Sequence, residues 1–355
     1  MKMRIYTMTH KAFDVPPDSL YVPLHVGKAK AQSLGYQGDN TGDNISELNC
    51  YYSELTGFYW IWKNVKDLDY VGTCHYRRYL IDRQGYFFNQ SEYEVLLKEY
   101  DLITTKRVVL NFSYHYGFSA NHNGKILDET GEVIKEMYPG YYDTFIKLIN
   151  ENETYFGNIM VCKKALFDEY AQWLFSIFFE VQKRVDLTAE DDYHRRVFGF
   201  ISEFLLYVFA VVKQLNVYEC KVGMLGEKAE TRELKDKLAQ YFLDRDIEGA
   251  KEYFLSVQKK RPDVLMEASD ITGELKLSMQ VIATCEQEQR LYRHSILNQI
   301  NHFEELMHYF SMLNQITSKQ LAKRPLNEAE NQFLTQNEIS EMAYEISKLL
   351  IVDNS

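Results

Sequence analysis

The sequence predicts an α/β protein, a sandwich of strands and helices followed by a C-terminal α-helical domain, and three observations carry that prediction. From Arg4 to about Gly226 short apolar runs alternate with segments of helical spacing, the pattern of a sheet covered by helices. Beyond Gly226 the composition turns rich in Glu, Lys, Gln and Leu, and only helical periodicity remains. The chain has 355 residues, 46% of them hydrophobic and 26% charged, which is enough for two domains, set at 1–226 and 227–355.

Net charge narrows the function classes. At −11 the chain is unsuited to general nucleic-acid binding, which depends on clustered Lys and Arg neutralising phosphates, so any anion site must be local. The five cysteines, Cys50, Cys74, Cys162, Cys220 and Cys285, are scattered and lack C-x-x-C spacing, which suits reduced thiols and disfavours zinc or structural disulfides. No cationic segment followed by an apolar stretch and a cleavage site opens the chain, and the expected location is the cytoplasm. The most apolar run, Phe204 to Val212, is too short to span a bilayer and reads as a core helix.

Taken in order, Arg4 to Met8 forms a first strand whose polar end is Thr9-His10-Lys11. A long loop is expected next, carrying Pro16-Pro17, the stretch Tyr21 to Gly27 and a Gly/Asp/Asn-rich segment from Gly35 to Asn44. Asp43 and Asn44 are site candidates there, although turn chemistry also accounts for them. Ser53 to Val65 is a helix apolar almost all the way round. Glu54 on it needs a partner, either a cation such as Arg77 or Arg78 or a hydrogen-bonding substrate.

Residues 69–80, Asp-Tyr-Val-Gly-Thr-Cys-His-Tyr-Arg-Arg-Tyr-Leu, are an apolar run that ends in a histidine, two arginines and several aromatics. Ligands of α/β proteins bind where strands end, so His75, Tyr76, Arg77 and Arg78 mark an anion-holding edge. Tyr100 to Thr105 is a further strand, Tyr114-His115-Tyr116 lies in a stretch expected to be a loop, and Tyr155 to Cys162 is another strand. Lys164 to Lys183 is a helix. In the tail, helices are expected over Arg232 to Leu243, Ile247 to Lys259 and one long segment from Gly273 to Leu313. For His10, His25 and His115 a loop-filling role competes with a functional one.

The ordered motifs Asn49-Cys-Tyr-Tyr-Ser-Glu-Leu-Thr-Gly-Phe-Tyr-Trp-Ile-Trp-Lys-Asn64 and Tyr70-Val-Gly-Thr-Cys-His-Tyr-Arg-Arg-Tyr79 resemble the domain-of-unknown-function 4422 family of bacterial capsule and exopolysaccharide glycosyltransferases. The resemblance extends to Tyr155-Phe-Gly-Asn-Ile-Met-Val161, Tyr170 to Phe175 and Arg196 to Glu203, and it covers roughly the first 225 residues. It implies a GT-A-like, Rossmann-type nucleotide-sugar-binding domain, with galactofuranosyl transfer among the family's activities.

Many GT-A enzymes place an Asp-x-Asp metal motif where this chain has His75-Tyr76-Arg77-Arg78. Guanidinium groups can stabilise a departing diphosphate as Mg²⁺ would, so a divalent metal is allowed but not expected to be required. A UDP-sugar is the expected co-substrate. The donor-side candidates are His10, Lys11, Val26, Gly27, Asp43, Asn44, Glu54, His75, Tyr76, Arg77 and Arg78; the acceptor-side candidates are Tyr114, His115 and Asn158. Strand alternation leaves open which of Arg77 and Arg78 faces the ligand.

A base for the acceptor hydroxyl is sought among carboxylates. Glu203 opens an apolar helix where burial would raise its pKa, and Asp191 and Asp192 are the alternatives, either salt-bridged surface residues or a weak metal site. The acceptor is a saccharide or lipid-linked saccharide, which brings with it peripheral association with the inner face of the plasma membrane. A non-catalytic saccharide- or nucleotide-binding subunit is the competing reading. A phosphate-ester hydrolase built on His75 is disfavoured by the absence of a G-x-x-x-x-G-K-[ST] loop.

Overall fold

Alternation along the first strand sets two layers. In the computed structural model, which describes residues 2–265 and 270–352, the chain divides into two compact units, Met1–Leu225 and Gly226–Ser355. The strands of the first unit are β1 (Met3–Thr9), β2 (Tyr21–His25), β3 (Gln37–Gly38), β4 (Tyr70–His75), β5 (Arg78–Ile81), β6 (Leu102–Thr105), β7 (Val108–Val109), β8 (Glu153–Thr154), β9 (Met160–Lys163) and β10 (Val217–Met224). Its helices are α1 (Asn49–Tyr52), α2 (Leu55–Asn64), α3 (Gln90–Leu96), α4 (Tyr114–Asn121), α5 (Gly124–Met137), α6 (Pro139–Ile149), α7 (Lys164–Arg184) and α8 (Val197–Val212).

β1 lies between β2 and β4 and is parallel to both, with β3 outside β2. β9 runs antiparallel between β4 and β6, β10 is parallel to β6, and β5 is antiparallel to β10. Tyr6 and Met8 of β1 enter a core with α2, α7 and α8, whereas Met3 and Ile5 enter a smaller core with Tyr21, Cys74, Tyr79 and Tyr93. A sheet covered on both faces buries nearly every strand residue, as the burial of β1 and β6 shows. All five cysteines are free thiols.

Four expectations for the first unit need correction. The stretch from Tyr21 is not loop but strand β2, paired with β1 from Ile5↔Tyr21 to Thr9↔His25. Pro23 disguised it; the residue is tolerated because β3 covers only Leu24 and His25, leaving β2 close to an edge. Tyr155 to Cys162 is not one strand: residues 155–159 form a loop after β8, with left-handed φ of 103° at Gly157 and 48° at Asn158, and β9 begins only at Met160. The stretch around Tyr114 is helix α4, whose Ser113 caps it by accepting from the Tyr116 N–H. Glu203 does not open its helix but sits in the second turn of α8. Phe204 to Val212 lies within α8 and is buried as far as Ala210, and no helix among the described residues is long and apolar enough to cross a membrane.

The second unit comprises α9 (Ala229–Leu243), α10 (Ile247–Lys260), α11 (Glu274–Tyr292), α12 (Phe303–Leu321), α13 (Glu328–Gln336) and α14 (Glu341–Val352) around its own core of Leu238, Phe242, Leu275, Phe310 and Leu313. The expected single helix from Gly273 to Leu313 is two helices. Arg293 adopts φ 60° and ends α11, and a short turn at Ile296–Asn298, capped by Ser295, precedes α12, so the break needs no proline.

Candidate functional site

β4 ends at His75, Tyr76 and Arg77 turn the chain, and Arg78 opens β5 directly opposite His75. The turn is anchored on both flanks: the Tyr76 N–H donates to the Met8 carbonyl at 3.1 Å, and the Leu225 N–H donates to the Arg77 carbonyl at 2.8 Å. Residues paired across strands share a face, so His75 and Arg78 project together. The pairing puts Arg78 on the face of His75, a choice that strand alternation leaves open.

Beside this hairpin lies the Gly157-Asn158 loop. The His75 Nε2 stands 2.6 Å from the Gly157 carbonyl, and because a carbonyl only accepts, that nitrogen carries the proton. On the other side of the same peptide group's residue, the Gly157 N–H donates to Glu203 Oε1 at 2.7 Å. Asn158 is 4% exposed and spends its side chain internally. Its Nδ2 donates to Glu54 Oε1 at 2.7 Å and to the Gly199 carbonyl at 2.9 Å, while its Oδ1 accepts from the Ser202 hydroxyl at 2.9 Å. The Thr73 hydroxyl donates to its carbonyl at 3.2 Å. Asn158 therefore ties Glu54, α8 and β4 together.

Glu54 is delivered by a sharp break between α1 and α2, where Ser53 takes φ 50°. The Ser53 hydroxyl accepts from Arg196 Nε at 2.9 Å. α8 comes close because residue 199 is glycine: a Cβ there would lie 3.2 Å from Ser53 Cβ and 3.8 Å from Glu54 Oε2. The expected pairing of Glu54 with Arg77 or Arg78 gives way to Asn158 and to His75 Nε2, 3.9 Å from Glu54 Oε1.

The electrostatics follow from this crowding. The Glu203 carboxyl is pushed up to about 8, first by burial and then by the negative charge of Glu54, against the opposing pull of Arg78, the Gly157 N–H and Arg196. His75 is lowered, chiefly by burial, with Glu54 resisting and Arg78 and Arg77 adding to the effect. At neutral pH the imidazole is thus uncharged and Glu203 mostly carries its proton.

Arg77 and Arg78 have no hydrogen-bond acceptor or carboxylate within bonding distance among the described residues, and Arg77 Nε is buried. The Arg77 guanidinium lies 5.2 Å from the Tyr76 ring centroid, and His10 meets that ring edge-on at 5.6 Å. Arg107, Arg184 and Arg196, by contrast, each hold partners: Glu153 and Glu219, Glu136 and Glu180, and Ser53, respectively.

The structure thus brings His10, Glu54, His75, Tyr76, Arg77, Arg78, Asn158 and Glu203 together. The remaining candidates are engaged elsewhere. Val26 is 7% exposed in the core, and the Gly27 N–H donates to the buried Asp39. Lys11 is exposed, and its backbone closes a turn with the Thr9 hydroxyl. Asp43 accepts from the Tyr59 hydroxyl at 3.0 Å, and Asn44 closes a turn with Gly42 and Ser46. Tyr114 is buried and stacks on Phe204 at 4.2 Å, and His115 pairs on the surface with Asp128 at 2.8 Å. Asp191 caps the turn at His194, accepting from the Tyr193 and His194 N–H groups, and Asp192 pairs with Arg195. Hydrogen bonds from the His194 N–H and ring lower the Asp191 pKa, the wrong direction for a base at neutral pH.

The residues missed were Ser53, Gly157, Arg196 and Gly199. Only Arg196 left a signal, seven positions before Glu203 and therefore on the same helical face. Among the described residues no group of three or more His, Cys, Asp or Glu converges as a metal site.

The family model described as Domain of unknown function (DUF4422) matches residues 4–214. No curated protein matches the chain. Among solved structures, the apo form of the WbbM bifunctional glycosyltransferase is similar at 27% identity and a TM-score of 0.54 over 64% of this chain. The match spans 46% of the WbbM chain, less than half of its length.

Two outcomes follow from the geometry. A carboxyl with a raised pKa stabilises the fold fully below the ordinary carboxylate range, and its contribution is lost as pH rises toward about 8. Urea titrations between pH 5 and 9 should therefore show wild-type stability declining through that window and a shallower decline for Glu203→Gln. Asn158→Ala should lose about 1–3 kcal/mol at pH 7 in the same assay, since it removes the amide donor of Glu54 Oε1, while the Gly199 carbonyl keeps the Ser202 hydroxyl.

Proposed function

Because the chain belongs to the DUF4422 family, we propose that it is a glycosyltransferase with a GT-A-like catalytic domain, moving a sugar from a UDP-sugar to a saccharide acceptor in capsular or exopolysaccharide biosynthesis. The likeness to WbbM, named a bifunctional glycosyltransferase, supports transferase chemistry. The observation that carries the reading is the pair of unpartnered guanidinium groups of Arg77 and Arg78 beside Glu203, since buried or half-buried cations without a carboxylate are matched by an anionic ligand.

In this mechanism the donor diphosphate lies against Arg77 and Arg78. As the bond from the anomeric carbon to the diphosphate breaks, the electron pair leaves with UDP, and the fixed guanidinium charges stabilise it without a required metal ion. Glu203, ionised in part at neutral pH, takes the proton of the acceptor hydroxyl as its oxygen bonds to the anomeric carbon. Glu54 makes Glu203 a stronger base, and neutral His75 holds the Gly157 carbonyl so that the adjoining N–H stays aimed at Glu203. The donor sugar is galactofuranose or another hexose. The acceptor is a saccharide or a lipid-linked saccharide, met in the cytoplasm, in the latter case at the inner face of the plasma membrane.

UDP release should be measured with UDP-galactofuranose, UDP-galactose and UDP-glucose, each with and without EDTA. Turnover with one of them is expected to survive chelation and to fall about tenfold to a hundredfold in Arg77→Ala and Arg78→Ala, on the scale of a lost charged hydrogen bond. Strict metal dependence would remove the role given to the arginines. A base works ionised, so kcat/KM should rise with pH up to about 8 and lose that limb in Glu203→Gln. An unchanged profile in that variant would exclude Glu203 as the base.

A further inference from the structure

Tyr114, His115 and Asn158 are engaged within the fold, which leaves the acceptor without a seat; a different surface next to Glu203 offers one. Helical side chains lean toward the N-terminus, so the Glu203 carboxyl lies over the turn that holds Gly199 and Phe200. The Gly199 side is closed by Ser53 and Glu54. The Phe200 side is aromatic: His122 from the end of α4 stacks on Phe200 at 4.3 Å and 25°, and Tyr193 meets it at 5.3 Å. The His122 and Tyr193 rings are themselves nearly parallel, at 20°. All three rings keep partial exposure.

This platform is braced from behind. Asn123 Nδ2 donates to Glu190 Oε1 at 2.9 Å, tying the α4–α5 junction to the segment that carries Tyr193. Asp191 and Asp192, paired with His194 and Arg195, hold the same segment in its turn. The Arg196 guanidinium stands 5.9 Å from the Phe200 centroid and also acts on the Glu203 charge, so platform and base share one neighbour.

We infer that Phe200, Tyr193 and His122 form the acceptor subsite, receiving the C–H face of a pyranose ring and presenting one of its hydroxyls to Glu203. A sugar ring has an apolar face and a hydroxyl rim, and aromatic rings beside a proton acceptor match both. The inference rests on the transferase reading for Glu203 but not on the identity of the donor.

The test uses the full chain and methyl β-D-galactopyranoside, with saturation-transfer NMR reporting which sugar protons touch the protein. Saturation of the C–H face is expected in the wild type, with the dissociation constant raised about tenfold in Phe200→Leu and restored in Phe200→Trp. Tyr193→Leu serves as the second variant should Phe200→Leu melt early by circular dichroism. Equal binding by the wild type and both leucine variants, or no saturation in the wild type, overturns the subsite. Absence of UDP release from every donor, with the galactoside still bound through Phe200, would instead overturn the donor reading and leave the subsite standing.

Discussion

The left-handed pair Gly157-Asn158 is the constraint on which the rest of the site depends. One short loop meets β4 through His75 and Thr73, α2 through Glu54, and α8 through Glu203, Gly199 and Ser202. Glycine reaches φ 103° without a Cβ penalty, and asparagine is among the few side chains that tolerate φ 48°. Strain of this kind persists only where surrounding contacts over-determine it, and here six hydrogen bonds do so.

That arrangement explains how two carboxyl groups and an imidazole coexist beside two arginines. Glu54 is satisfied by an amide and not by a guanidinium, which leaves Arg77 and Arg78 uncommitted. Had the arginines paired with Glu54, its charge would be neutralised and Glu203 would drop toward an ordinary carboxylate. The inward turn of Asn158 therefore keeps the cations available for an anion and keeps the Glu203 proton affinity high.

The acidic pair Asp191-Asp192 illustrates how like chemistry divides by environment. Both are exposed and bonded to neighbours within three residues, so they order a surface turn. Glu203, half-buried and facing another carboxylate, is the group with a raised proton affinity. The turn they order carries Tyr193, which connects these residues to the site mechanically and not chemically.

Local pattern in the sequence determined much. Periodicity located β1, α2, α7 and the apolar body of α8, because burial repeats every 2 or 3.6 residues within one element. His75, Arg77 and Arg78 cluster at a strand end already in the sequence, and Glu203 stands out there as a lone carboxylate in an apolar run. Only the tertiary structure decided the partners. Asn158 meets Glu54 across 104 positions, Gly157 meets Glu203 across 46 and Arg196 meets Ser53 across 143. No local period encodes such distances. A hydrogen bond depends on where two elements are brought by the packing of everything between them, so which carboxylate gains a proton and which arginine stays unpaired is settled by the fold as a whole.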